Sequence, residues 1–504
     1  MVMKKILIFI IAITSITGVI SCKKGFLDVN KDPNNPTSTT PNFLLPSIIS
    51  NGFSMQAFEA YQFTGILTQN VGRRGAPNGA FEQYYFLPNV RPFQDTYQIV
   101  GANIPPMIDI AMKEGSPYYV GAGKIMYALI LAHATDLLGD IPYTEAFQPA
   151  LTISPKYDTQ ESIYAAVNKL LDEGITELQK PASSNSRPFY ISTPSISGDI
   201  LYKGVTASWI KLAYSIKARQ ANHLTKKSSY NPTAVLDLID KGLSSNSEDA
   251  QLQWQAVTST VLNSTNVFGP TRNNMAAITY GRFLIEMLNG KNLLGDAALP
   301  DDPRLPIMAT ATSTGTQPGA NNAQALTTGV VSDFYTSWYA TEVFNAANNS
   351  GVFQILTNAE VRFIEAEAAF RAGNLPRAYK AYRDGIIAHM DKLSVPTAQR
   401  DAYMLTPAVV QVSTSLTLKD IMQQKYIALF MNPESWTDMR RLDYSQTFYP
   451  GFYYPANPNP AAKNLYPQRT LYPLTEIQLN PAEVEKQGAN AQDYFLKPLW
   501  WNQP

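Results

Sequence analysis

Apolar residues recur at helical spacing through much of this chain, and that spacing predicts a mainly α-helical protein. The clearest single helix runs from Val205 to His223, where Trp209, Leu212 and Ile216 fall on one face and the lysines lie off that stripe. Such a stripe is typical of a helix that packs one side against a core. Weaker helical periodicity covers 121–138 and 162–178, and another helix is predicted over 418–432.

A second pattern predicts two helices in tandem. Apolar residues at a spacing of three to four positions run from Ala359 to Phe370, and Gly373-Asn374 has the composition of a helix C-terminus. Leu375-Pro376 then opens another helix, with proline in its first turn. Two antiparallel helices joined by so tight a turn form a unit similar to a tetratricopeptide (TPR) repeat, although the strict consensus of that repeat is not met.

Between about residues 255 and 350 the periodicity fades, and the sequence becomes rich in Asn, Thr, Gly and Pro. The segments 71–92 and 448–473 share this irregular character. Long irregular segments inside a compact protein are usually functional loops or disorder. The predicted fold class is therefore mainly α, a TPR-like helical-pair scaffold over residues 43–504 as a single domain, with long irregular loop insertions, of which about 255–350 is the largest.

The N-terminus has the pattern of a bacterial lipoprotein. Lys4-Lys5 precedes an apolar run, 6–20, that is too short for a good transmembrane helix and is typical of a secretory signal. The run closes on Val19-Ile20-Ser21-Cys22, a lipobox, in which the cysteine thiol receives a diacylglycerol. We therefore predict a signal peptide over residues 1–21, lipidation of Cys22, and a flexible linker over residues 22–42. The alternative is an ordinary signal peptide with Cys22 as a chance or buried thiol.

Charge and cysteine content narrow the class of protein further. The chain has 504 residues, with 40 basic and 40 acidic side chains and a single cysteine. A nucleic-acid-binding protein would show a basic bias, so nucleic acid is not an expected partner. No second cysteine is available for a disulfide, and stability must come from a large core. No later apolar run is a transmembrane candidate, which favours a soluble body on a lipid tether.

The sequence lacks the common motifs of enzymes and metal sites. Its three histidines are His133, His223 and His389. They lie in helical patterns without metal-ligand spacing, and we interpret them as core or helix-surface residues. No HExxH, phosphate-loop or GxSxG motif occurs, so we predict no catalytic residue, no metal ligand and no cofactor. Glu365 and Glu367 are interpreted as a solvated helix face, with Glu367 and Arg371 as an i,i+4 pair.

Five segments, in order along the mature chain, are similar to motifs of one family. They are 26–36 (FLDVNKDPNNP), 136–146 (DLLGDIPYTEA), 203–219 (KG with WIKLA and KAR), 359–368 (AEVRFIEAEA), and 424–441 (QKYIA with ESWTDMRR). Behind a lipobox, this set resembles the SusD/RagB family of surface nutrient-binding lipoproteins of the Bacteroidota. The motifs themselves are interpreted as structural: Gly139-Asp140-Ile141-Pro142 ends a helix at Leu138, and Arg440 and Arg441 cap or pair near Trp436.

The resemblance implies a function as well as a fold. It implies a TPR-like scaffold with loop insertions, and an outer-membrane location facing the cell exterior through the lipid anchor. The implied partner is a SusC-like TonB-dependent transporter barrel, over which the lipoprotein closes as a lid. The implied ligand is a glycan, or alternatively a peptide, that is captured before import, and no reaction is implied.

Two aromatic, irregular segments are candidate ligand sites, because sugars present C–H faces to flat rings and hydroxyls to amides and carboxylates. The residues singled out are Trp338, Tyr335 and Tyr339 in the long insert, Tyr84 and Tyr85 in the early loop, and Arg73 and Asn78 near that loop. The alternative is that these aromatic rings pack the loops onto the scaffold.

Two other functions remain open at this level. A lipid-anchored glycoside hydrolase would need two carboxylates roughly 5 to 10 Å apart in a cleft, and 40 acidic residues leave room for such a pair. A TPR-type protein adaptor of the envelope would show a concave helical groove without an aromatic loop pocket.

Overall fold

The helices of this protein are joined by long irregular segments, as a computed structural model of the chain shows. The structure describes residues 39–73, 81–88, 90–148, 152–193, 195–254, 278–291, 299–309, 311–312, 315–324 and 351–504. The predicted signal peptide, Cys22 and most of the predicted linker lie outside these residues, as does most of the predicted insert 255–350.

Helices account for most of the ordered elements in the described residues. The α-helices are α1 (Pro41–Glu59), α2 (Gly65–Leu67), α3 (Val90–Gln94), α4 (Ile104–Glu114), α5 (Pro117–Leu138), α6 (Gln160–Leu178), α7 (Thr206–His223), α8 (Pro232–Ile239), α9 (Arg282–Leu288), α10 (Leu305–Met308), α11 (Asn358–Arg371), α12 (Leu375–Lys392), α13 (Thr397–Tyr403), α14 (Leu418–Ala428), α15 (Glu434–Arg441), α16 (Leu474–Leu479) and α17 (Pro481–Lys486). The helix predicted over 418–432 thus ends four residues early, at Ala428.

Short antiparallel strand pairs accompany the helices, and two of the pairs in the described residues connect parts of the chain that are far apart in sequence. The strands are β1 (Val71–Arg73), β2 (Tyr190–Ile191), β3 (Ser197–Gly198), β4 (Ala250–Trp254), β5 (Ile278–Tyr280) and β6 (Gly351–Leu356). Strand β1 pairs with β5, β2 with β3, and β4 with β6. In the first pair Val71 lies opposite Tyr280 and Arg73 opposite Ile278.

The tandem helices α11 and α12 form the predicted hairpin, and local side chains set its ends. The Thr357 hydroxyl accepts a hydrogen bond from the backbone N–H of Glu360, which caps the start of α11. Gly373 has a φ of 76°, the left-handed conformation that ends a helix. The Asn374 side chain then accepts from the backbone N–H of Arg377 and starts α12. The prediction for this turn is confirmed.

Helical pairs build the scaffold around one extended core. Helix α5 packs along α4 and α6, α7 packs on α6 and α8, and α14 packs on the α11–α12 pair. Nearly every residue of α5 is buried, which identifies it as the central helix. Within residues 41–504, those that the structure describes form one compact unit. The fold predicted from sequence, a mainly helical scaffold of TPR-like pairs with irregular insertions, is confirmed.

Two glycines allow α5 and α6 to approach closely. A Cβ atom placed on Gly121 of α5 would lie 2.8 Å from the backbone oxygen of Gly174 on α6, and a Cβ on Gly174 would lie 3.0 Å from the oxygen of Gly121. Both distances are shorter than ordinary van der Waals contacts. The backbones of the two helices therefore touch where the sequence supplies no side chain.

The acidic residues of α11 are not on a solvated face, so that prediction is wrong. Glu367 is 0% exposed and forms an ion pair with Arg441 of α15. Glu365 is also buried and pairs with Arg362 and Arg377. The Glu367–Arg371 pair itself is present at 2.9 Å. Glycine 139, with a φ of 90°, ends α5 as predicted.

The described residues contain no helix that combines the length and the apolar character needed to cross a bilayer.

Candidate functional site

The early loop, residues 81–88, is attached to strand β1 through Glu82. The Glu82 carboxylate accepts hydrogen bonds from the backbone N–H of Arg73, at 2.6 Å, and of Ala323, at 3.1 Å. Burial raises the pKa of Glu82, and these two N–H groups oppose that shift. Glu82 thus joins three separate stretches of sequence, those of Arg73, Glu82 and Ala323. We call the described parts of residues 71–73, 81–88, 278–291, 299–324 and 448–462 the loop face.

Tyr453 contacts two further parts of the loop face, at Asn322 and at Arg282. Its hydroxyl accepts from the backbone N–H of Asn322, at 2.7 Å, and donates to the Asn322 side-chain oxygen, at 3.2 Å. The guanidinium of Arg282, the first residue of α9, lies 4.8 Å from the centre of the Tyr453 ring. The Asn322 amide in turn donates to the carbonyl of Val71. The ring, the amide and the cation are therefore held in fixed relative positions.

The two predicted tyrosines of the early loop point in opposite directions. Tyr84 has a φ of 63° and is only 3% exposed, with its ring edge-on to Tyr454 and Tyr466. Tyr85 is 38% exposed, and no ring contact is found for it among the described residues. Arg73 is exposed at the end of β1. A flat ring at Tyr85 is thus available to solvent, whereas the ring of Tyr84 is already covered by protein.

A polar cavity of about 500 Å³ opens beside α9. It is lined by Arg282, Ile285, Glu286, Asn289, Lys291, Asp301, Leu305 and residues 315–319. The same segment, 315–324, carries Ala320, which bonds to the backbone of Tyr280 and Arg282. The cavity therefore presents two cations, two carboxylates and amides.

Asn78 lies in the segment 74–80 and Trp338, Tyr335 and Tyr339 lie in the segment 325–350, all outside the described residues. Among the predicted residues that are described, Arg73 and the loop of Tyr84 and Tyr85 are brought together through Glu82. Ligand binding at any of these residues stays a prediction.

Sequence reasoning did not single out Tyr453, Arg282, Asn322 or Glu82. The segment 448–473 was recognised as irregular, and Tyr453 lies in it, but no pattern distinguished this tyrosine from its neighbours. Asn322 and Tyr453 are 131 positions apart, and their contact exists only in the folded chain.

A second cluster, deep in the scaffold, brings a histidine between two carboxylates. The Nε2 atom of His223 lies 2.9 Å from Glu434, and its Nδ1 atom lies 3.5 Å from Asp136. The Tyr164 hydroxyl donates to Asp136 at 2.6 Å, and Gln220 donates to the same carboxylate. Potential ligand atoms of these residues lie within 4.8 Å of one another.

The geometry of this cluster fits helix packing better than a metal ion. The two carboxylates approach opposite nitrogens of the His223 ring, whereas an ion is bound through one nitrogen of a histidine. Arg219 also lies 3.7 Å from Glu434 and reduces the negative charge that would attract a cation. Since α5, α7 and α15 supply Asp136, His223 and Glu434, the cluster ties three helices together. The other histidines, His133 and His389, are also buried.

The motif arginines act within the scaffold, as predicted. The guanidinium of Arg440 lies 3.9 Å from the Trp436 ring and 5.0 Å from that of Trp501, and it donates to the carbonyl of Asp136. Arg441 pairs with Glu367 and Asp438. The recurrent motifs therefore build the interior, while the loop face is built from residues outside them.

Comparison with known proteins identifies the family. A sequence model of the SusD-like family, described as starch-binding and associating with the outer membrane, matches residues 33–473. No curated protein matches the chain at a significant level.

Solved structures share the fold over nearly the full chain. A chitin-binding SusD homolog from Flavobacterium johnsoniae is 19% identical, with a TM-score of 0.71 and coverage of 91% of this chain and 98% of that one. A SusD/RagB family protein from Bacteroides thetaiotaomicron is 21% identical, with a TM-score of 0.70 and coverage of 92% and 99%. A chitin-binding protein is 22% identical, with a TM-score of 0.70 and coverage of 92% and 100%. At this identity the similarity concerns the fold alone.

Proposed function

Since this chain belongs to the SusD-like family of starch-binding proteins that associate with the outer membrane, we propose that it captures a glycan at the cell surface and passes it to a TonB-dependent transporter. The glycan is bound at the loop face. The transporter is SusC-like, and the protein itself carries out no reaction.

The cavity beside α9 is the observation that carries this proposal. Its volume, about 500 Å³, lies within the range of about 300–1,000 Å³ that is usual for small-ligand sites. Amides and charged groups, among them Asn289, Gln317 and Arg282, line it and suit the hydroxyl groups of a sugar. Tyr85, in the early loop that Glu82 links to Ala323, offers an exposed ring onto which the C–H face of a sugar can pack.

We place Arg73 and Tyr85 at the edge of this site. Tyr84 contributes by fixing the loop, because its ring is buried and Asn459 donates to its carbonyl. We further propose that Trp338, Tyr335 and Tyr339, and with them Asn78, complete the ligand contacts. Substitution Trp338→Ala is therefore expected to weaken glycan binding, and unchanged binding of every glycan would remove Trp338 from the site.

The N-terminus and the family support the proposed location. The lipobox at Cys22 supports acylation and attachment to the outer membrane, with the body facing the cell exterior. The description of the family supports the outer membrane as the compartment. Replacing Cys22 with Ser should release the protein from the membrane fraction, since one thiol carries the anchor.

A glycoside hydrolase is the alternative that one specific observation favours. Glu286 and Asp301 both line the cavity beside α9, so two carboxylates face one space. Hydrolysis by such a pair requires a general acid and a second carboxylate.

One experiment separates the two functions. The full-length protein in detergent is titrated by calorimetry with starch, chitin and other oligosaccharides and with peptides, and released reducing ends are assayed in the same samples. We expect heat of binding for one class of glycan and no product. Glu286→Gln and Asp301→Asn serve as matched variants, since both keep the shape of the side chain and remove the charge.

Each outcome is decisive. Glycan binding without product supports capture, and binding of peptides alone would replace the glycan by a peptide cargo. Released sugar that disappears in both variants would establish the hydrolase. Absence of binding to the whole panel would overturn the assignment of the loop face as the ligand site and favour an adaptor.

A further inference from the structure

Two cations close to the C-terminus lack a carboxylate in contact with them among the described residues. Arg469 donates to the carbonyls of Leu138, Lys497 and Pro498, and to the Tyr494 hydroxyl at 2.6 Å. The ammonium group of Lys497 donates to the carbonyl of Gln487 at 2.8 Å. All these acceptors are neutral, so neither positive charge is neutralised by a direct ion pair.

The two cations share one aromatic ring. The guanidinium of Arg469 lies 4.9 Å from the centre of the Tyr494 ring, and the Lys497 ammonium lies 5.9 Å from it. Partial burial and the charge of Arg469 lower the pKa of Lys497, and Asp140 opposes this shift from a distance. The region around Tyr494 therefore carries positive charge that favours an anion.

A cavity of about 360 Å³ opens on Tyr494 and Lys497. Its lining comprises Lys463, Leu465, Gln487, Gly488, Ala491, Asp493, Tyr494, Leu496 and Lys497. The single carboxylate in that lining, Asp493, is engaged by Lys463 at 2.6 Å. Lys497 is thus the cation of the cavity that has no acidic partner in contact within the described structure.

We propose that this cavity, which shares no lining residue with the loop face, binds an acidic sugar unit through its carboxylate or sulfate group. The anion is held by Lys497, with Lys463 at the rim. The cavity is larger than a bare anion requires, and Gln487, Leu465 and Leu496 supply an amide and apolar surface for the sugar ring. The identification of the ligand as a sugar rests on the proposed function, whereas the preference for an anion rests on the charges alone.

The test compares acidic and neutral ligands on the full-length protein in detergent. Oligogalacturonate, sulfated oligosaccharides, neutral oligosaccharides of equal length and inorganic sulfate are titrated separately by calorimetry. Lys497→Gln removes the charge but keeps a group that can donate to the Gln487 carbonyl. We expect it to weaken binding of the acidic oligosaccharides roughly tenfold, the size of effect typical for a charge-assisted hydrogen bond. Lys497→Arg should bind like the parent.

Lys180→Gln is the matched control, because it removes the same charge from an exposed pair with Glu177 on another part of the surface. Unchanged binding of acidic ligands by Lys497→Gln, or an equal loss in Lys180→Gln, would overturn the proposal. Binding of inorganic sulfate alone would overturn the sugar part of it. If acidic ligands do not bind, and neutral glycans bind equally well to the parent and to Lys497→Gln, the second site is disproved. The assignment of the loop face as the glycan site is then unaffected.

Discussion

Arg441 of α15 and Glu367 of α11, 74 positions apart in sequence, form a two-pronged ion pair that is closed to solvent on both sides. Both side chains are 0% exposed, and the Nη1 to Oε1 distance is 2.6 Å. Asn222 of α7 donates to the same carboxylate at 3.0 Å. One acidic side chain therefore links three helices of the scaffold.

Removing this charge should destabilise the whole scaffold. In Glu367→Gln, Arg441 loses its main counter-charge inside the protein, and breaking a buried pair from one side costs about 3–5 kcal/mol. We expect a loss of about 3 kcal/mol in the free energy of unfolding, since Asp438 still contacts Arg441. Denaturant titration of the parent and the variant measures this loss. Asp384→Asn, which breaks the exposed pair with Lys380, is the control and should change stability by less than about 1 kcal/mol.

The same pair predicts how stability depends on pH. Burial raises the pKa of Glu367, but the charges of Arg441 and Arg371 outweigh it and hold the pKa well below its ordinary value. A carboxylate with a depressed pKa stabilises the fold above its unfolded pKa, about 4.3, and this contribution is lost as the pH falls toward the folded value. The difference in unfolding free energy between parent and Glu367→Gln should therefore be constant from pH 7 to about pH 5 and shrink below about pH 4. A difference that grew on acidification would contradict the assignment.

The close packing of α5 against α6 at Gly121 leaves no room for an added methyl group. In Gly121→Ala the new Cβ would lie 2.6 Å from the Leu178 side chain and 2.8 Å from the Gly174 oxygen, so α5 and α6 must move apart. Overpacking of this kind costs about 1–3 kcal/mol, which outweighs the higher helix propensity of alanine. Thermal unfolding followed by circular dichroism measures the effect. Ala165→Ser, an exposed position of α6, adds one heavy atom without a clash and should leave the midpoint nearly unchanged.

The exposed ring of Tyr85 should contribute to glycan binding. Tyr85→Ala is expected to weaken binding by about 1 kcal/mol, roughly fivefold, because an aromatic surface for the sugar is lost. Isothermal titration with the glycan identified in the panel measures this change. Leu87→Ala removes an even more exposed side chain of the same loop, 70% exposed, and should bind within about twofold of the parent. Equal losses in both variants would show that the loop responds to any truncation rather than to loss of the ring.

Tyr84 should behave as a core residue by comparison. Tyr84 is only 3% exposed, and its ring packs against those of Tyr454 and Tyr466. Tyr84→Ala is therefore expected to lower the free energy of unfolding by about 3 kcal/mol, because it leaves a cavity. Unfolding measured in the absence of ligand detects this loss. If Tyr84→Ala instead kept full stability and lost only glycan binding, the ring would belong to the ligand site.

The sequence by itself determined the scaffold of this protein. Spacing of apolar residues predicted the helices that contain Trp209 and Phe363, and glycines at 139 and 373 predicted where helices end, because these signals act within a few residues of the backbone. The motif resemblance added the family, which the match over residues 33–473 confirms.

Only the tertiary structure decided which polar residues are buried and which aromatic rings are free. The helical periodicity of the sequence shows that Glu367 lies off the apolar stripe of α11. It does not show that Arg441 of α15 packs against that face of the helix. Adjacent tyrosines at 84 and 85 look equivalent in sequence, and a left-handed backbone at Tyr84 sends one ring inward and leaves the other exposed. His223 and Glu434 are 211 positions apart, so their contact, like the loop face, depends on long-range packing that local periodicity does not encode.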